Sequence, residues 1–189
     1  MATANPDDKR WTLLRSRLVF DHHWYKVRQD EVRLPNGEII DDYFVSVRPD
    51  VALVLPITVD REVIFVHQYR HGAGEVLLEL PAGTFDPQQE AAETAALREL
   101  QEETGYSAEA LIHLATLYDN PVKETNRIHM FLAYPVQYQG EQALDVTEDI
   151  DLVKLPVDQI NTKILQGEIA VSGTIAALHL GLTYFAQVF

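Results

Sequence analysis

The sequence predicts an α/β protein, a mixed sheet sandwiched between helices and preceded by an antiparallel strand unit. Three observations carry that expectation. Short, near-continuous apolar runs at Val51 to Val59, Val63 to Tyr69 and Val76 to Leu80 suit strands covered on both faces. A run of strong helix formers, Glu90 to Thr104, separates these from later strand-like segments. A stretch of extended character, Trp11 to Val47, comes before them. With 189 residues the chain is long enough to bury a real core.

The first three expected strands are Trp11 to Phe20, Trp24 to Leu34 and Glu38 to Val47. Leu34-Pro35-Asn36-Gly37-Glu38 joins the last two, and Asn-Gly is expected to supply the positive φ angles of a tight hairpin. Apolar alternation is weak from Arg28 to Glu31, so this unit is expected to pack against something else, in its own domain or in a partner chain. No linker follows it. The boundary is placed by the change of periodicity, giving an N-terminal unit over 1–48 and a main domain over 49–189.

The three apolar runs form the expected core sheet. Asp86-Pro87-Gln88-Gln89 then has the residues of a helix start, with Asp as cap, Pro in the first position and Gln89 closing a capping box. The helix Glu90 to Thr104 stops at Gly105. Strands are expected near Ala110 to Tyr118, Arg127 to Tyr134 and Ile150 to Leu155. Two helices close the chain, Val157 to Gln166 ending at Gly167, and Ser172 to Gln187. Ser172 is the expected cap of the second, and Ile175, Leu178, Leu182 and Phe185 are its apolar stripe.

Composition narrows the function. The 29 acidic and 15 basic residues leave a formal charge of -14, which repels a phosphate backbone and anionic membranes, so neither nucleic acid nor a membrane is an expected partner. A small phosphate ester as substrate would need a cation to offset that field. With 0 Cys there is no disulfide framework, thiol nucleophile or Cys-ligated metal centre. Val51 to Val59, interrupted by Pro56, is too short to span a bilayer. The start, MATANPDDKRW, has no apolar signal-peptide core. These features make a cytoplasmic location the expectation.

Seven carboxylates and one cation, Arg98, lie between Glu79 and Glu103. On a helix Glu99 shares a side with Glu102 and Glu103, because offsets of three and four return to one face. Solvated carboxylates so placed repel one another by a few tenths of a kcal/mol per pair. A hard divalent cation reverses that sign, and Mg²⁺ or Mn²⁺ keeps positions open for water and phosphate oxygens. A solvated acidic face is the alternative reading of such a run.

The spacing decides between them. Gly83-Thr84-Phe85-Asp86-Pro87-Gln88-Gln89-Glu90, seven residues, then Arg98-Glu99-Leu100-Gln101-Glu102-Glu103-Thr104-Gly105-Tyr106 resembles the Nudix box. That motif runs Gly, five residues, Glu, seven residues, Arg-Glu, an aliphatic, any residue, Glu-Glu, any residue, Gly, a hydrophobic. Six residues, not five, separate Gly83 from Glu90, while every later spacing is regular, so the extra residue falls before the helix.

The resemblance implies a loop, helix and loop against a mixed sheet, and hydrolysis of nucleoside diphosphates linked to another group, with Mg²⁺ or Mn²⁺. It makes Glu102 and Glu103 the principal metal ligands, with Glu99 joining them and the Ala82 carbonyl as a further ligand. Arg98 and Glu90 become structural partners of the cluster. Outside the box, Tyr69-Arg70-His71 and Leu78-Glu79-Leu80-Pro81-Ala82-Gly83 resemble the ADP-ribose and sugar-nucleotide pyrophosphatase branch, which makes Arg70 the phosphate contact. Pro121, sixteen residues past Gly105, matches a Pro of that branch. Val122-Lys123-Glu124-Thr125-Asn126 stands where the branch has a small, Gly-containing sequence.

The branch also implies a homodimer whose N-terminal unit crosses to the other subunit, and a base-stacking role for Trp24 or Tyr25. The cluster His22-His23-Trp24-Tyr25 reads equally as a packed hairpin corner. The branch often takes its general base from an acidic loop between late strands. Here that loop is Glu141 to Ile150, expected to close over substrate, with Glu148 as the first candidate and Asp145 and Glu124 as reserves. The expected products are a nucleoside monophosphate and a sugar phosphate. A hydrolase of nucleoside triphosphates or other diphosphates, and a non-catalytic Nudix-type ligand sensor, are the competing readings.

Overall fold

The computed structural model describes residues 9–189, which divide into two compact units. One is the described chain up to Pro49 with Asp119–Asn126, and the other is Asp50–Tyr118 with Arg127–Phe189.

The first unit is a three-stranded antiparallel sheet in the order β1 (Thr12–His22), β2 (Tyr25–Arg33), β3 (Ile39–Val47). Between β2 and β3 only Gly37 of the Asn-Gly pair has positive φ, at 90°. The Leu34 carbonyl accepts from Gly37 N–H at 2.9 Å, and Leu34 N–H donates to the Glu38 carbonyl at 2.8 Å. The turn is therefore a three-residue loop with glycine last, not the two-residue turn expected, because Asn36 uses its side chain to accept from Glu38 N–H (3.0 Å). Asp119–Asn126, assigned by sequence continuity to the main domain, sits with β3. Ser46 N–H donates to the Lys123 carbonyl at 2.7 Å, and the Tyr43 hydroxyl donates to the Val122 carbonyl at 2.7 Å.

The second unit holds an eight-stranded mixed sheet. Its strands are β4 (Asp50–Thr58), β5 (Glu62–Arg70), β6 (Glu75–Glu79), β7 (Ala82–Phe85), β8 (Tyr106–Ser107), β9 (Leu111–Tyr118), β10 (Arg127–Tyr138) and β11 (Ile150–Pro156). The central order is β11-β5-β4-β10-β8, with β6 on β5, β7 on β4 and β9 on β10. Only β4 and β10 run parallel among these pairs.

Strand alternation explains why β4 reads as a continuous apolar run. Ala52 and Val54 face helix α1 (Ala92–Thr104), meeting Ala95, Ala96 and Leu100. Leu53, Leu55 and Ile57 face the other way, toward α2 (Ile160–Leu165) and α3 (Ser172–Val188), meeting Ile160, Leu178 and Phe185. The sheet thus lies between helices, as its sequence predicts. On α3, Leu178 and Phe185 are fully buried, whereas Ile175 and Leu182 are partly so.

Helix starts differ from expectation. Asp86 does not cap α1. It closes its own turn, accepting from Gln88 N–H and the Gln89 side chain, while its carbonyl takes the N–H groups of Gln89 and Glu90. The extra residue before Glu90 therefore lies in a hydrogen-bonded turn, and α1 begins two residues past Glu90 without a side-chain cap. Ser172 is likewise the first residue of α3 rather than its cap. The segment after β11 opens as a 3₁₀ turn, Val157–Gln159, before α2.

At the entry to β4, buried Asp50 accepts from Arg127 N–H (2.9 Å) and pairs with His129 Nε2 (3.0 Å). Burial works against its charge, but the hydrogen bonds from His129 and Arg127 outweigh it and hold the carboxyl below its ordinary range. That contribution is present above the ordinary carboxylate pKa and is lost as pH falls through the lowered one. Asp50→Asn is therefore expected to destabilise the protein by about 1–3 kcal/mol at pH 7. The gap should close in strong acid. Thermal melts at both pH values check this, and an unchanged Tm at pH 7 contradicts it.

Candidate active site

Helix α1 carries the cluster and β7 lies across from it. Gly105 ends the helix with φ of 71°, its N–H donating to the Gln101 carbonyl at 2.8 Å. A Cβ on Gly83 of β7 would lie 1.9 Å from Glu99 Oε1, so only glycine lets the strand approach this carboxylate.

The helix separates the three glutamates by azimuth. Glu99 and Glu102 converge on one cationic nitrogen, Arg98 Nη1, at 2.7 and 2.9 Å. The rest of the guanidinium is held by Glu90, through Nε at 3.3 Å and Nη2 at 3.2 Å. Hydrogen bonding to Glu90, against partial burial, raises the Arg98 pKa, so it is a permanent cation. Glu103 takes no part in the Arg98 pairs. Its buried carboxylate accepts from Ala82 N–H at 2.9 Å. Burial pushes its pKa up to about 8, and the charges of Glu99 and Glu148 add to that. Burial also raises Glu99, against the pull of Arg98.

Gly83, Arg98, Glu99, Glu102, Asp145 and Glu148 line one polar cavity of about 340 Å³. The loop between β10 and β11 supplies the last two. Asp145 N–H donates to Glu148 Oε2, and Glu148 N–H to the Asp145 carbonyl, each at 2.9 Å. The loop that the sequence leaves free to close is tied down in its first half. Gln139 N–H donates to the Gly105 carbonyl, and Ala143 N–H to the Glu102 carbonyl, both at 2.8 Å.

Arg70 ends β5 and forms a two-point ion pair with Glu79, at 2.8 and 3.2 Å. Burial opposes its charge, but Glu79 dominates and raises its pKa, with Glu103 and Glu148 contributing through the field. Trp24 and Tyr25 belong to the first unit. They stand at the β1–β2 hairpin tip, 72% and 47% exposed, with the His23 ring 5.0 Å from Trp24. Pro121 is in the same unit, in the segment bonded to β3, and Glu124 there pairs with Arg48 at 3.4 Å.

Among the described residues, no three His, Asp or Glu side chains stand together in a ready-made cation cage. The donor set nonetheless suits a hard divalent ion. It is all oxygen, and Glu99 and Glu102 already converge on one positive atom. Sequence reasoning missed the Gly83–Glu99 approach as a physical requirement, the Ala82–Glu103 bond and the loop anchors. The glycine of the box was the one available signal.

Residues 46–174 match the family model described as the NUDIX domain, so the chain belongs to the Nudix family and is a Nudix hydrolase. Residues 11–46 match a second model, the nucleoside diphosphate sugar hydrolase N-terminal domain. The ADP-ribose pyrophosphatase of Mycobacterium tuberculosis is 33% identical over 167 residues, 86% of this chain and 80% of that protein. The methanol dehydrogenase activator of Bacillus methanolicus is 31% identical over 166 residues, 87% and 89% of the two chains. A crystal structure of an ADP compounds hydrolase shares the fold, with a TM-score of 0.82 at 23% identity over 95% of this chain and 96% of that one.

Proposed function

We propose that this chain hydrolyses the diphosphate linkage of ADP-ribose or another nucleoside diphosphate sugar, releasing a nucleoside monophosphate and a sugar phosphate. One observation carries the reading: four carboxylates, Glu99, Glu102, Asp145 and Glu148, face a single polar cavity beside Arg98. The matched N-terminal model and the relative from M. tuberculosis support the substrate class. Glu99, Glu102, Glu103 and the Ala82 carbonyl would hold Mg²⁺ or Mn²⁺. Such an ion neutralises phosphate charge, aligns water and stabilises the leaving oxygen.

The protein's own groups do the rest. Glu148, with one carboxylate oxygen held by Asp145 N–H, takes the proton of the attacking water. The water oxygen bonds to one phosphorus as the bridging P–O bond breaks. Arg70, kept charged by Glu79, offers its remaining N–H groups to the phosphates. Arg98, held by Glu90, keeps Glu99 and Glu102 at a fixed spread.

The proposal includes a homodimer in which Trp24 or Tyr25 stacks on the base and Pro121 shapes the substrate site. Strand β1 is exposed along its whole length and, with Trp11 just before it, presents Leu13, Leu18 and Phe20, an apolar surface of the kind that seats a partner. It also includes a cytoplasmic setting, in keeping with the lack of cysteine.

A panel of ADP-ribose, other sugar nucleotides and nucleoside triphosphates, with Mg²⁺ or Mn²⁺ and with products identified, tests the reaction. The expected result is monophosphate plus sugar phosphate from a sugar nucleotide. Faster release of pyrophosphate from a triphosphate overturns it. Light scattering at micromolar concentration should give a dimer, and a monomer removes the cross-subunit base site.

A further inference from the structure

The last carbonyls of a helix have no partner within it. In α1 those carbonyls belong to the residues whose side chains form the site, and a distant segment satisfies them. Ala143 N–H takes the Glu102 carbonyl. Gln142 Nε2 takes the Glu103 carbonyl at 2.6 Å and also reaches the Ile150 carbonyl at 3.3 Å. One amide nitrogen thus ties the end of the catalytic helix to the first residue of β11. Between Gln142 and Ile150 runs the arc that brings Asp145 and Glu148 into the cavity of Glu99 and Glu102.

The contact is close as well as bonded. A Cβ on Gly105 would lie 2.1 Å from the Gly140 carbonyl oxygen, so the loop rests directly on the helix end. Of the side chains in this loop, only Gln142 bonds both the helix and β11 among the described residues. A carboxylate in its place could donate to neither carbonyl, since an amide NH₂ supplies two protons and an ionised carboxylate none.

We propose that Gln142 is a positioning residue. It holds both ends of the 143–149 arc against the helix, and so sets where Glu148 and Asp145 stand relative to Glu99 and Glu102. This rests on the reading of Glu148 as general base. Its consequence is a coupling: loss of Gln142 should matter to turnover only while Glu148 is present.

The test is a double-mutant cycle at saturating Mg²⁺ with ADP-ribose, using Gln142→Ala, Glu148→Gln and the pair, alongside hydrogen exchange of the loop amides. Gln142→Ala is expected to lower kcat by about tenfold or more with KM little changed. In the Glu148→Gln background it should lower kcat by less than about twofold. The Ala143 amide should exchange faster in Gln142→Ala, and Gln142→Asn, a shorter donor, should fall between wild type and Gln142→Ala in both readouts. Thermal melting confirms that each variant is folded.

An unchanged kcat in folded Gln142→Ala, unchanged exchange, or, where Glu148→Gln itself lowers kcat, an equal loss in both backgrounds overturns the proposal. If Glu148→Gln alone turns over normally, the base reading falls. A loss with Gln142→Ala and faster loop exchange would then still carry the positioning role through Asp145, and unchanged values would end it.

Discussion

Glu102→Gln is expected to cut turnover by about 100-fold or more while the fold persists, since even outer partners of a metal ligand cost about 10–100-fold. Glutamine keeps the volume and deletes the charge that a hard cation requires. Glu102 is the more exposed of the pair, with 41% of its side chain accessible, so its replacement leaves the core untouched. Glu103→Gln should lose activity too, but with a separate signature in stability. Between an ordinary value of 4.5 and about 8, the buried Glu103 carboxyl holds its proton more tightly folded than unfolded. Metal-free protein should therefore lose stability as pH rises through that interval, by at most about 1.4 kcal/mol per unit, and level off above it. Glutamine at 103 removes the penalty while its carbonyl can still accept from Ala82 N–H. Metal-free melts at pH 8 should show Glu103→Gln more stable than wild type and Glu102→Gln little changed. Normal turnover in both variants would sink the metal assignment.

Glu148→Gln is expected to lower kcat by roughly 10²–10⁴-fold with metal affinity little altered, the range for losing a general base. A solvated surface glutamate would show almost no effect. Asp145→Asn serves as the comparison, because Asp145 lines the same cavity but engages Glu148 through its backbone. Glu124→Gln serves as the other, since Glu124 pairs with Arg48 in the first unit. Titration of activity with Mg²⁺ separates loss of the base from loss of the ion. Should Glu148→Gln retain near-normal turnover, the assignment fails. If all three variants do, the water is activated within the cluster on α1.

Local pattern determined more of this protein than distant contacts did. The two-sided burial of β4 was written in the unbroken run from Val51, and the three-four spacing was enough to put Glu99, Glu102 and Glu103 on one broad side of α1. Gly105 marked the helix end through its backbone freedom alone. The same logic overreached at Asp86 and Ser172. A residue able to cap a helix can equally close its own turn or begin the helix itself, and both options satisfy the local hydrogen bonds.

The division of labour within the cluster was not legible. Adjacent residues on a helix point about 100° apart. Spacing alone therefore places Glu102 and Glu103 on one broad side without saying which meets the cavity. The packing of β7 against α1 decides it, turning Glu103 onto Ala82 N–H and leaving Glu102 beside Arg98. The loop shows the limit most clearly. Glu148 could be nominated from the sequence, but its place opposite Glu99 depends on Gln142 and Ala143 bonding to a helix end about 40 residues earlier. Periodicity encodes which face a side chain takes on its own element. Only chain closure between elements decides which faces meet, because those hydrogen bonds join groups that no local repeat relates.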